Sequence, residues 1–177
     1  MSDIDIAPLC GLVYDDGAFA QTSLEGVVAE LRAADRTVAG TIQTDRARAD
    51  RRHCDMMLEN LASGEITRIS EDRGALAGGC HLDRDAFARV EAAVRASLAA
   101  RPALVVVNKF GKTEIEGSGL RGVIAEAIER DLPTLVGVPR HNLGAWRAFV
   151  GDLAIAAATT AELDAWLAAQ GLVEGVR

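Results

Sequence analysis

An α/β fold, with a mostly parallel sheet, helices on both faces and one inserted β-hairpin, is what this sequence predicts. Three observations carry the prediction. Apolar runs at 9–14, 103–107 and 134–138 lack polar alternation, as strands buried on both faces do. Longer stretches between them repeat apolar residues at i, i+3, i+4 and i+7, the stripe of a helix packed along one side. Two shorter strand-like segments, 54–61 and 65–70, are joined by Ala62-Ser63-Gly64, a hairpin signature. Apolar strands alternating with helices imply a layered α/β domain.

The first strand is Leu9–Tyr14. A helix follows with Leu24, Val27, Val28 and Leu31 on one face, and Thr22-Ser23-Leu24-Glu25 reads as a capping box at its start. Thr37–Gln43 is the second strand, and the charge-dense Thr44–His53 is expected to be an exposed loop. After the hairpin comes a glycine-rich connection at 74–79. Asp83 then caps a helix carrying Phe87, Val90, Val94 and Leu98, which Arg101-Pro102 ends. Ala103–Val107 is a buried strand, Leu120–Ile128 a helical stripe, Thr134–Val138 another strand and Leu143–Val150 a short helix. The last helix, 161–169, has Thr159 and Glu162 at capping-box spacing and turns Leu163, Trp166 and Leu167 inward. No repeat or long linker divides the chain, so a single domain over residues 1–177 is expected.

Composition narrows the function classes. A hydrophobic content of 49% argues for a folded core, built mainly from Ala, Val and Leu because aromatics are only 4%. Lys and Arg number 19 against 26 acids, a net charge of −7, which disfavours nucleic acid and anionic membrane as partners. The N-terminus has no basic region of a secretory signal, and no apolar run reaches the roughly 18 residues of a membrane span. Three cysteines in no disulfide-framework spacing fit a reduced cytoplasm, the expected location.

In a sheet of this type ligands gather beyond the carboxyl ends of the strands, which singles out the loops Asp15–Thr22, Asn108–Ser118 and Pro139–Asn142. The first occupies the place of a phosphate-binding loop between strand and helix. Of the spacing G-x-x-x-x-G-K-[ST] it keeps only Thr22: Asp15 and Ala20 replace the glycines and Gln21 the lysine. Two acids, Asp15 and Asp16, stand where phosphate would sit, and Gly17 beside them is a candidate binding position. The second loop follows a strand that ends in Asn108-Lys109, where a magnesium-dependent hydrolase places acids. Gly117-Ser118-Gly119-Leu120-Arg121-Gly122 spells G-x-G-x-x-G, but nine residues separate it from Val107, too far for the dinucleotide fingerprint. Its amides and Arg121 remain candidates for binding a small anion.

Candidate acids are Glu114 and Glu116, and Lys112 adds a cation. No Ser/His/Asp or Cys/His grouping stands out. His53-Cys54 and Cys80-His81 form a mirror pair, yet neighbours on a strand point to opposite faces, so no metal site is predicted. Cys80, in a glycine-rich stretch just before a helix N-terminus, is the candidate reactive thiol.

The order of these pieces resembles a P-loop nucleoside-triphosphatase family first described from thermophiles. Gly111, Lys112 and Glu114 match its D-E-I-G-K-M-E-L-like segment, whereas Asn108-Lys109 replaces the Asp-Glu pair. The resemblance is closer to a bacterial domain-of-unknown-function family encoded near molybdate-transport genes. It rests on Val13-Tyr14-Asp15-Asp16-Gly17, Cys54-Asp55-Met56, Gly79-Cys80-His81-Leu82-Asp83, Asn108-Lys109-Phe110-Gly111-Lys112 and Glu116-Gly117-x-Gly119-x-Arg121. These likenesses imply a degenerate P-loop NTPase-like three-layer fold and a link to molybdenum or molybdate handling.

Relative to the triphosphatases, the first loop has lost a cation and gained two acids, while the strand end at 108–109 has lost two acids and gained a cation. Lys109 is therefore expected either to pair with Asp15 or Asp16, or to receive an oxyanion with Lys112 and Arg121. The expected function is a ligand-binding accessory or sensor protein that takes a small oxyanion or a nucleotide-like molecule. The alternatives are a triphosphatase or phosphotransferase with a non-standard site, the one case that would require magnesium with nucleotide, and an interaction module with a vestigial pocket. The sequence itself requires no cofactor, and it is compatible with a homo-oligomer without arguing for one.

Overall fold

A computed structural model describes residues 7–46, 55–71 and 81–174. In chain order the elements are β1 (Leu9–Tyr14), α1 (Gly17–Ala33), β2 (Val38–Arg46), β3 (Asp55–Asn60), β4 (Ile66–Arg68), α2 (Arg84–Ser97), β5 (Leu104–Val107), α3 (Lys112–Ile115), α4 (Arg121–Glu129), β6 (Thr134–Pro139), α5 (Leu143–Val150), β7 (Ala154–Ala157) and α6 (Thr160–Ala169). The strands form one seven-stranded sheet in the order β4-β3-β2-β5-β6-β1-β7. β2, β5, β6, β1 and β7 run parallel, and the β3–β4 hairpin joins antiparallel to β2. The α/β class, the parallel sheet and the inserted hairpin are as expected.

The apolar runs explain the layering. On β1, Leu9 and Val13 face one side and Cys10 and Leu12 the other; on β5, Val105 and Val107 oppose Leu104 and Val106. One face is covered by α2, α4 and α5 through Val90, Val94, Val123, Ile124, Ala127 and Trp146. The other is covered by α1 and α6 through Leu24, Val28, Leu31, Leu163 and Trp166. Burying the β5 valines on both faces removes almost all their apolar surface from water, about 2 kcal/mol each.

Several boundaries differ from the sequence reading. α1 starts at Gly17, capped by Asp16, whose carboxylate accepts from the Ala18 amide at 2.9 Å; Thr22 and Glu25 lie inside the helix and form no capping box. The Thr-x-x-Glu pattern fits by coincidence, because Gly17–Thr22 shows too little apolar periodicity to betray the earlier start. β2 continues through Arg46, so the expected loop begins later; residues 47–53 of it, and the connection at 74–79, lie outside the described residues. Gly40 sits in β2 at φ +108°, where any Cβ would collide with the Val106 backbone. From that point β2 leaves its parallel partner β5 and pairs with β3. The short α3 and β7 were not anticipated.

Asp83 caps α2 through the Ala86 amide at 2.9 Å, and the Thr159–Glu162 capping box starts α6, both as expected. The functional consequence lies at the carboxyl ends of β1 and β6. These strands are neighbours, yet α1 leaves β1 over one face and α5 leaves β6 over the other. That is a topological switch point, where open α/β sheets form a crevice.

Candidate functional site

Three loops meet at this crevice. The β1–α1 connection is only Asp15 and Asp16; Asn108–Gly111 follows β5; Arg140–Asn142 follows β6 as a single 3₁₀ turn. They are held together locally. Phe110 is fully buried, its amide donating to the Gly137 carbonyl at 2.7 Å while its own carbonyl accepts from Asn142 Nδ2 at 2.9 Å. Its ring meets Trp146 edge-on at 5.2 Å and stacks on Phe149 at 5.7 Å. Anchoring Phe110 leaves Asn108 and Lys109 projecting over the sheet edge. The Thr41 hydroxyl, fully buried on β2, donates to Asn108 Oδ1 at 3.0 Å and fixes that amide.

Lys109 is exposed and makes no hydrogen bond or ion pair with any described residue. It lines three concavities. A cavity of about 430 Å³ brings it together with Asn108, Gly17, Gln21, Tyr14, Gln43 and Glu25. One of about 500 Å³ joins it to Asp15, Gly17, Tyr14, Pro139, Arg140 and His141. A third, about 270 Å³, continues past Asn108 to Gly111, Lys112 and Glu114 under the apolar side chains of Met56, Leu58 and Phe87. The first two are of the size that takes small ligands.

The expected pairing of Lys109 with Asp15 or Asp16 is not what the structure holds. Asp15 Oδ2 instead accepts from Arg140 Nε at 2.7 Å, and Asp16 is the α1 cap. Arg140 was missed as a candidate, although its loop was one of the three singled out. Gln21 gives its amide to Glu25 along α1, and Thr22 is exposed within that helix, lining none of these cavities. Tyr14, also missed, sits half-buried between the two larger cavities, and burial raises its phenol above the ordinary range.

The glycine-rich loop does hold an anion, but the anion is the chain's own. Glu114 is buried, Oε2 accepting from the Gly111 amide at 2.9 Å and Oε1 from the Leu120 amide at 3.0 Å. Gly117 and Gly119, at φ +91° and +62°, wrap the chain around that carboxylate, and a Cβ on Gly119 would strike it. Arg121 is engaged elsewhere, its guanidinium 4.3 Å from the centre of the Phe149 ring and Nη1 donating to the Glu114 carbonyl at 3.3 Å. Lys112 is 87% exposed beside Glu116 at 3.7 Å, and shares a separate open cavity with Gly117 and Gly119. The candidate residues thus divide: Asp15, Gly17, Gln21, Asn108 and Lys109 share the crevice, Glu114, Gly117, Gly119 and Arg121 build the loop beside it, and Lys112 reaches only its rim.

A magnesium triphosphate needs a glycine-rich amide cradle, a lysine and an acid for the metal. The two-residue β1–α1 connection, whose Ala18 amide is already taken by Asp16, and the Asn108-Lys109 strand end do not supply them. Among the described residues no group of three or more His, Cys, Asp or Glu could hold a metal ion. Cys10 is buried in β1. His53, Cys54 and the candidate thiol Cys80 lie outside the described residues.

Comparison with known proteins places the chain in a family and matches its fold. Residues 9–166 match the family described as "Protein of unknown function (DUF2478)". A curated relative, "Molybdenum import ATP-binding protein ModC 2" of Bradyrhizobium diazoefficiens, is 29% identical over 152 residues, 86% of this chain but 17% of that protein. The chain therefore spans about a sixth of the length of the curated relative it matches. Among solved structures, THEP1 from the hyperthermophile Aquifex aeolicus superposes with a TM-score of 0.64 at 11% identity, covering 93% of this chain and 96% of that one. The fold is P-loop NTPase-like, and the chain belongs to the DUF2478 family.

Proposed function

We propose that this DUF2478 protein binds a small anion, an oxyanion or a nucleotide-like molecule, in the crevice around Lys109, and acts in the cytoplasm as an accessory or sensor protein in molybdenum handling. The observation that carries the reading is the Lys109 ammonium, without a partner among the described residues, on the shared wall of two ligand-sized cavities at the topological switch point. On a chain of net charge −7, a cation held over a cleft by a buried Phe110 anchor is a specific feature rather than a general basic surface. The name of the curated relative, a molybdenum import ATP-binding protein, supports the molybdenum setting.

A thermal-shift screen against molybdate, tungstate, sulfate, phosphate, ATP and GTP, with and without Mg²⁺, tests it, because a ligand of the native state raises the melting temperature by mass action. A rise with an oxyanion or with Mg²⁺-free nucleotide, abolished in Lys109→Ala, is the expected result. No rise with any of them overturns the reading and leaves an interaction module with an idle crevice. A second reading, a nucleoside triphosphatase, has the fold and the name of the ATP-binding relative in its favour. Against it stand the two-residue β1–α1 connection and a Glu114 carboxylate with both oxygens committed to backbone amides. A Mg²⁺-dependent shift with ATP, together with phosphate release, would decide for it.

A further inference from the structure

We infer that the ligand of this crevice is an oxyanion carrying two negative charges, and that Arg140 is its second cationic ligand, held in reserve by Asp15. The inference rests on the reading of the Lys109 crevice as an anion site. Lys109, Arg140 and Asp15 come from the ends of three different strands and line one cavity of about 500 Å³. Arg140 commits only Nε to Asp15; its two terminal nitrogens have no partner among the described residues. Those nitrogens are the fork with which a guanidinium grips an oxyanion.

The Arg140–Asp15 pair is built to open. Its side chains are 50% and 72% exposed, and ion pairs that exposed contribute little to stability. Arg140 therefore changes partner cheaply, and the released Asp15 carboxylate already faces water. Two cations against one acid leave the cavity wall with a single positive charge. A monoanion is balanced by Lys109 with the pair intact. A dianion needs both cations, and its stronger pull draws Arg140 off Asp15. Asp15 is then an internal competitor that admits doubly charged ligands in preference to singly charged ones.

Tungstate and perrhenate are tetrahedral oxyanions of similar size that differ in charge, and calorimetric titration of both at pH 8 separates the alternatives. Arg140→Gln is expected to weaken tungstate about tenfold or more while leaving perrhenate within about twofold, and Arg140→Lys, which keeps the charge but not the fork, falls between. Asp15→Asn is expected to tighten tungstate by roughly two- to fivefold, and the gain vanishes when Arg140 is also replaced. Tungstate binding that is lost in Lys109→Gln yet indifferent to Arg140→Gln and Asp15→Asn overturns the inference and keeps the anion site. An equal loss of both anions in Arg140→Gln overturns the charge assignment. No binding of either anion by any variant overturns the anion site and the inference together.

Discussion

Glu114 holds two backbone amides in a buried site, one ahead of the glycine-rich loop and one within it. Glu114→Ala leaves both without an acceptor and is expected to destabilise the fold by about 2–4 kcal/mol, read as a lower urea midpoint at unchanged slope. Glu114→Gln keeps one acceptor and falls between; an unchanged midpoint in the alanine variant would mean that water takes over both amides. Residue type and spacing marked Glu114 as a candidate acid, but its role depends on Leu120 returning to it across Gly117 and Gly119, which no local pattern encodes. Cys10 shows the opposite case, since its place in an apolar strand was enough to assign it to the core. Burial, the largest cause, pushes its thiol from 9.0 up to about 12, with the Ala157 backbone opposing and Glu162 adding to the rise. The unfolded chain loses that proton near its ordinary value and the folded chain does not. Cys10 therefore contributes stability that is fully present below pH 9 and lost as the pH climbs toward 12. Native protein treated with iodoacetamide at pH 8.5 is expected to leave Cys10 unmodified by peptide mapping and to label it once unfolded in urea; labelling at equal rates in both states would contradict its burial.

Elements with strong apolar patterns were legible, and those without were not. β1, β5 and β6 announced themselves as unbroken apolar runs because both faces of each are covered. β7 did not: Ala154–Ala157 is an edge strand, with Ile155 38% exposed, and its short apolar run is mostly alanine, which favours strands weakly. The start of α1 was missed because Asp16 caps it through a single side-chain contact, while a competing Thr-x-x-Glu pattern lay one and a half turns later. At the crevice, Lys109 and Asn108 were legible from the strand end, but Arg140 becomes Asp15's partner only when β6 is inserted beside β1, a pairing 125 residues apart in sequence. Packing between elements yields its own test. Glu126 on α4 accepts from Arg95 of α2 at 3.0 Å and from Arg130 at 2.9 Å; these hydrogen bonds, Arg95 first, hold its carboxyl below the ordinary 4.5. A lowered folded value means stability that is present above the unfolded value and lost as pH falls through the folded one. The gap in urea midpoint between wild type and Glu126→Gln should therefore be open at pH 7 and close on acidification through and below pH 4.5, and a gap that stays constant would remove the charge from the explanation.

The described residues form one sheet with a core on each side, and the same strands supply both. Trp146 on α5 is buried in one core and Trp166 on α6 in the other, each 2% exposed. Between them, β1 sends Leu9 and Val13 to the first core and Cys10 and Leu12 to the second, while β5 divides its valines in the same way. Neither core can lose its helices without exposing the far side of strands that the other still needs, so the two are expected to unfold together as a single cooperative domain. Trp146→Phe and Trp166→Phe each leave one tryptophan as a reporter. Both variants will be less stable than wild type, since each replaces a large buried ring by a smaller one. Within each variant, however, tryptophan fluorescence and far-ultraviolet circular dichroism should trace one urea transition with a common midpoint. Separate midpoints in either variant would mean that one helix layer detaches before the other. The crevice would then change with it, because its Asp15 wall is carried by the start of α1 and its Arg140 wall by the turn leading into α5. Coincident transitions would instead mean that the two cores unfold as one unit, so that any ligand held by the native crevice stabilises both at once.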